Sequence, residues 1–288
     1  MSMTLAATAT MASHRRLAQA LAQARAYLVG RQCANGGYSF YRSEYLEEPN
    51  LHDTWHALAG LRLLSTGVPR REDLIRFVVG QPISEQPYAL YFRVRCLCLL
   101  ESADPDPAAV SAAVAALVVT APAMDRPEDF SGELHRLRLS LWLKRHFALA
   151  YPAAAITRFL LSVEQPSGGF GAPPNLLATR QALAVLALCG EKAATRSSTF
   201  LAQMATPYFG FRLTVDSLSP NLETTCAGVA CCRRLDLPIA HAADALAFIL
   251  DCQTGNGGFA RAPDALPNIA LTHLAIAGMT ALVGPLSL

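Results

Sequence analysis

A chain of 288 residues suits one large domain or two small ones. With 52% hydrophobic and only 16% charged residues it can bury a sizeable core, which excludes extensive disorder. Lys plus Arg number 24 against 22 Asp plus Glu, so a net charge of +2 provides no basic field of the kind nucleic acid requires.

In chain order, the first dozen residues lack the basic and apolar regions of a signal peptide, and residues 1–13 are expected to be a flexible N-terminus. Helical periodicity then begins and continues with short interruptions. Helices are predicted at His14–Arg31, Leu51–Leu64, Glu72–Val79, Tyr88–Glu101, Pro107–Val119 and Ser131–Phe147. They continue at Tyr151–Glu164, Leu176–Cys189, Ala193–Met204, Leu222–Leu235, Ile239–Cys252 and Ile269–Leu282. The even-numbered members are apolar on nearly all faces, which argues for burial on all sides. The odd-numbered members carry their charges on one face. No convincing alternating strand is visible. No run of about 18 strongly apolar residues suggests a membrane span, and peripheral membrane contact stays open.

A repeat organises these helices. Four inner helices open on an Asn with a Thr four places later: Asn50/Thr54, Asn175/Thr179, Asn221/Thr225 and Asn268/Thr272. The Asn steps of 125, 46 and 47 residues leave room for two degenerate copies, found around Tyr91 and Leu134. Gly-Gly-aromatic loops precede three of the clear copies, at Gly36-Gly37-Tyr38, Gly168-Gly169-Phe170 and Gly257-Gly258-Phe259; Phe209-Gly210-Phe211 is a weaker version. Paired glycines permit positive φ, so the aromatic can fold back as a plug. Six inner and six outer helices make an all-α, α6/α6 toroid of six repeats of about 45 residues, a single domain over 1–288. An open solenoid would need polar caps at its ends, and Ile269–Leu288 shows none.

The stretch Cys252-Gln253-Thr254-Gly255-Asn256-Gly257-Gly258-Phe259, followed by Pro263, Asn268 and Thr272, resembles the repeat of protein prenyltransferase β subunits and of squalene–hopene and class II terpene cyclases. The Gln32 and Gln165 loops are similar, and the likeness spans Tyr27–Gly278. It implies an apolar central funnel rimmed by the inner-helix N-termini, and in the β subunits an isoprenyl diphosphate, a zinc ion and a helical partner subunit. The zinc-ligand places of those β subunits hold Thr224, Cys226 and Leu271 here, so one ligand of three is kept. A shifted set of Cys226, His273 and Glu223 would be the remaining metal site, for zinc or magnesium. The cyclases' Asp-x-Asp-Asp-Thr acid motif aligns with Asn50-Leu51-His52-Asp53-Thr54, with His52 at the proton-donor place.

Three groups of candidate residues follow. His52, Asp53 and His56 form a possible acid/base cluster; His52 and His56 lie at i,i+4 on one helical face, a spacing metal sites also use, beside the plainer reading of a polar funnel lining. Counting from the repeat Thr, the next two positions supply Trp55 and His56, Phe92 and Arg93, His135 and Arg136, Arg180 and Gln181, and His273. Arg93, Arg136 and Arg180 either pair with Asp53, Glu101, Glu133 and Glu223 or await an anion such as a diphosphate. Trp55, Tyr91, Phe92, Trp142, Tyr38, Phe170, Phe211 and Phe259 line a funnel or pack between helices. One turn deeper, Ala59, Ala184, Ala230 and Ala277 leave space or allow close packing.

The leading expectation is an isoprenoid-handling enzyme that binds an isoprenyl diphosphate and transfers its prenyl group. The alternatives are a terpenoid cyclase or isomerase using His52 and Asp53, and a non-catalytic toroid binding a lipid, another apolar small molecule or a protein. The eight cysteines form no CxxC pair and sit mostly in Ala/Leu-rich runs, as reduced core residues of a cytosolic protein.

Overall fold

A computed structural model describes residues 2–40, 46–121, 129–191, 196–219 and 221–284, with side chains from 15 onward. Among the described residues there are twelve helices: α1 (Ser2–Gly30), α2 (Leu51–Leu63), α3 (Arg71–Gly80), α4 (Pro87–Leu99), α5 (Pro107–Ala116), α6 (Phe130–His146), α7 (Ala153–Val163), α8 (Leu176–Leu188), α9 (Ser197–Met204), α10 (Leu222–Arg234), α11 (Ala242–Asp251) and α12 (Ile269–Val283). Helix α1 reaches back to Ser2, so the expected flexible lead-in continues the helix. The expected start of α9 at 193–195 lies outside the described residues. Four two-residue strands are present: β1 (Ala205–Thr206) pairs antiparallel with β2 (Gly210–Phe211), and β3 (Phe259–Ala260) with β4 (Pro267–Asn268). These were not visible as alternation, because two residues are too few to show a period.

The even-numbered helices form the inner ring. Each packs on the next, and α12 returns to α2. This closure decides for a toroid over an open solenoid. The repeat residues explain how each inner helix is set. Asn50, Asn175, Asn221 and Asn268 are N-caps whose side-chain oxygens accept from Asp53, Ala178, Glu223 and Leu271 backbone N–H groups at 2.7–2.9 Å. One turn on, the Thr54, Thr179 and Thr272 hydroxyls accept from the backbone N–H of Tyr38, Phe170 and Phe259 at 2.9–3.0 Å. Thr225 instead donates to the Phe209 carbonyl at 2.7 Å. The loop aromatics are thereby driven into the wall between helices, where Tyr38, Phe170, Phe211 and Phe259 are fully buried and do not line the centre. Each burial of a ring this size contributes about 1.5–3 kcal/mol.

The paired glycines dock each loop on an outer helix. Gly257 has φ +88°, and a Cβ there would collide with the backbone of Gln23 in α1. Gln253 Nε2 donates to Gly257 O at 3.0 Å and to Ala20 O at 2.8 Å. Gln32 makes the same two bonds, to Gly36 O and Pro69 O. The seam between the last copy and α1 is therefore built like an internal repeat junction. No helix among the described residues is long and apolar enough to cross a membrane.

Candidate functional site

The inner helices are buried against one another, yet each keeps a stripe of partly exposed residues at helical spacing that faces the ring centre. The stripe is Trp55, His56 and Ala59 on α2, His135, Arg138 and Trp142 on α6, Arg180, Gln181 and Ala184 on α8, Ala230 on α10, and His273 and Ala277 on α12. Arg95 occupies the corresponding place on α4.

At the N-terminal ends, His52 packs among His56, Tyr88 and Phe92, with ring centroids 4.5, 5.8 and 5.0 Å away. His52 Nδ1 is 3.2 Å from Asp53 Oδ1, while Asp53 Oδ2 accepts from Phe40 N–H at 2.9 Å and Asn50 Nδ2 at 3.0 Å. Burial pushes the Asp53 carboxyl up, but these three hydrogen bonds and the charge of His52 outweigh it and hold it below its ordinary value. An ionised, fully bonded Asp53 has no proton to give an alkene. Across the ring seam, His56 Nδ1 meets His273 Nδ1 at 2.9 Å, so one proton is shared between the two imidazoles.

Just below lies a cationic centre. The Arg95 guanidinium stands 4.8 Å from the Trp142 ring, 5.5 Å from Trp55 and 5.8 Å from Tyr91. Arg138 Nη2 is 3.5 Å from His135 Nδ1, which also lies 3.3 Å from Gln181 Nε2. Arg180 is within electrostatic reach of His56, His135, Arg138 and His273. Buried Nε atoms of Arg95 and Arg138 and Nε1 of Trp55 have no hydrogen-bond partner. The acids that might have balanced this charge are engaged elsewhere: Asp53 with His52, Glu101 with Arg62, Glu133 with Arg136 and Glu223 with Arg261. Among the described residues no carboxylate forms an ion pair with Arg95, Arg138 or Arg180.

The imidazoles record that field. Burial, then Arg138, Arg180 and His52, bring His135 down to about 4. Burial, then Arg180 and Arg95, do the same to His273. His56 is held well below 6.5 by burial and then by His273, His52, Arg180 and Arg138. The unfolded chain therefore binds protons near pH 6.5 that the folded chain refuses until about pH 4. Stability is fully present above about pH 6.5 and is lost on acidification across that window. Thermal melts from pH 7.5 to 4.5 should show a falling Tm, and replacing His135 by Gln should flatten the decline.

Two expected site residues are placed elsewhere. Arg93 is 2% exposed and faces the outer ring. Its Nε and Nη2 donate to both Asp104 oxygens at 2.7 and 3.1 Å, and Nη1 donates to the carbonyls of Val78, Val79 and Gln81 at the end of α3. Arg136 lies at the surface, 2.5 Å from Glu133. Arg95 and Arg138, each two residues on and so rotated by about 200°, take the central positions instead. Phe92 is buried against Trp55 and His52 at the rim. A signal for Arg95 existed in the sequence: counted from the α4 cap Gln86, it falls where Ala59, Ala184, Ala230 and Ala277 stand in the other copies.

The proposed metal set does not assemble. Among the described residues no three His, Cys, Asp or Glu side chains gather as a metal cradle. Glu223 is turned to Arg261 at 3.1 Å, and His273 Nδ1 is engaged by His56 Nδ1 at 2.9 Å. Zinc or magnesium therefore finds no fitting donor set in Cys226, His273 and Glu223.

Comparison with known proteins agrees with this architecture. The family described as Prenyltransferase alpha-alpha toroid domain matches residues 83–284. Protein geranylgeranyltransferase-I of Candida albicans, complexed with GGPP, superposes with a TM-score of 0.60 at 16% identity, over 80% of this chain and 83% of that one. The type II terpene cyclase MstE from Scytonema superposes with a TM-score of 0.59 at 13% identity, over 93% of this chain and 97% of that one. A variant of that cyclase in complex with its product, merosterolic acid A, matches with the same TM-score at 14% identity, over 96% and 99% of the two chains. No curated protein sequence matches. The match over more than two thirds of its length and the closed double ring make this chain a member of the prenyltransferase alpha-alpha toroid domain family.

Proposed function

We propose that this protein binds an isoprenyl diphosphate within its ring and transfers the prenyl group to an acceptor. The observation that carries the reading is the cluster of Arg95, Arg138 and Arg180, which no carboxylate among the described residues pairs, with the buried Nε–H groups of Arg95 and Arg138 lacking acceptors. Unpaired buried cations are costly unless an anion completes them. A diphosphate is a geometric match for guanidinium forks. The same donors would take up the charge that develops on the leaving diphosphate as the allylic carbon–oxygen bond breaks. His135 and Gln181 add neutral donors beside Arg138. The hydrocarbon would lie along the aromatic and alanine faces of the inner helices.

The cyclase alternative, which uses His52 and Asp53, is less well supported, because His52 stands at the proton-donor place where an alkene needs a carboxylic acid, and hydrogen bonds hold the neighbouring Asp53 carboxyl below its ordinary value. The two tryptophans of the chain, Trp55 and Trp142, both flank Arg95, so intrinsic fluorescence reports directly on the centre. Farnesyl or geranylgeranyl diphosphate should change it saturably, and inorganic pyrophosphate should compete. Arg180→Ala should weaken binding about ten- to hundredfold. Absence of binding by all three ligands would discard the reading.

A further inference from the structure

The rim holds a second feature that the cationic centre does not use. His52 is a wall shared by two spaces. Its ring packs with the funnel aromatics Phe92 and Tyr88 and with His56. It also lines a recess of about 300 Å³ together with Ser39, Phe40, Glu48, Asn50, Asp53 and Asn268. We propose that this recess is the acceptor site and that His52, oriented by Asp53, is the general base that deprotonates the acceptor. This rests on the reading that the neighbouring centre holds a prenyl diphosphate.

The Asp53 carboxylate accepts only, so the 3.2 Å contact places the imidazole proton on Nδ1. Nε2 then carries the lone pair, and it makes no hydrogen bond within the described residues. Asp53 is itself fixed by Phe40 N–H and Asn50, so the imidazole is held in one orientation. Among the described residues no three side chains form a metal cradle, so this reading assigns activation of the nucleophile to a side-chain base. The step balances as follows. An acceptor X–H gives its proton to His52 Nε2, its lone pair forms the bond to the allylic carbon, and the carbon–oxygen bond breaks with its electron pair going to the diphosphate on the guanidinium groups.

The recess also selects by charge. Among the described residues that line it, the acids are Glu48 and Asp53 and none is Lys or Arg, so this lining favours a neutral or cationic O–H or N–H acceptor over an anionic one. Its volume fits a small molecule or one side chain.

The decisive experiment compares acceptors that need a base with one that does not. Wild type and His52→Gln, each loaded with geranylgeranyl diphosphate to saturation, are offered tyramine, 4-hydroxyphenylacetate or azide, and adducts are counted by mass spectrometry. Wild type should prenylate tyramine at least about tenfold faster than 4-hydroxyphenylacetate. His52→Gln should slow the tyramine reaction by about 100-fold while azide capture stays within about twofold. Equal losses for tyramine and azide, no loss for either, a preference for 4-hydroxyphenylacetate, or bound diphosphate without any phenol adduct would each overturn the base and its recess while leaving diphosphate binding intact. Failure of the wild type to bind the diphosphate would instead bring down the reading beneath it.

Discussion

Arg138→Met should make the protein more stable and, at the same time, nearly unable to bind a prenyl diphosphate. Arg138 is largely buried, its Nε lacks a partner, and burial, together with Arg180 and Arg95, lowers its proton affinity against the pull of Tyr91. Methionine keeps much of the volume and removes the desolvation cost and the repulsion. Replacing buried charge by apolar volume is commonly stabilising by about 1–4 kcal/mol, which for a chain of this size means a Tm rise of several degrees. The same substitution removes a charge-assisted donor from a largely desolvated side chain of the centre, so diphosphate affinity should fall about 100-fold or more. Differential scanning fluorimetry and calorimetric titration on one sample check both signs. A lower Tm would mean that Arg138 is a structural cation; unchanged affinity would mean that the diphosphate lies elsewhere. The stability–function opposition is what a preorganised, charge-strained site predicts.

Asp104→Ala should do the reverse. It removes the partner of a buried guanidinium, and breaking a buried pair this way costs about 3–5 kcal/mol because the remaining charge is stranded. Arg93 also ties the last carbonyls of α3 to α4, so its disordering loosens the junction of an outer and an inner helix. Denaturant unfolding should show a large loss of stability, while diphosphate affinity, measured at a temperature where the variant is folded, should stay within about twofold of wild type. The pair of results separates two kinds of buried arginine: Arg93, bonded to Asp104, holds the ring together, whereas Arg138, like Arg95, faces its centre.

That separation shows where sequence reasoning stopped. In four copies the Asn cap and the Thr one turn later fix the rotation of the inner helix, because each makes a hydrogen bond that only one rotation allows. Trp55, His56, Arg180, Gln181 and His273 face the centre for that reason. The copies on α4 and α6 lack both anchors. The sequence leaves their register open, and an offset of one or two residues turns a side chain from the funnel to the wall. Arg95 and Arg138 face the centre, while Arg93 and Arg136, the residues expected there, point to the outer ring and the surface. Asp104 is only 11 residues from Arg93, yet nothing local says that the turn after α4 brings it under that guanidinium.

The helix count, the alternation of inner and outer layers and the plugging role of the loop aromatics follow from local rules: periodicity, caps, and glycines that alone tolerate positive φ. Those rules act within a few residues and can be read from letters. The meeting of His56 with His273, 217 positions apart, the lack of an ion-paired acid among the described residues beside three arginines, and the capture of Glu223 by Arg261 depend on which faces converge when six repeats close. Charge balance at a centre is a property of all the converging side chains together, so only the closed ring could decide it.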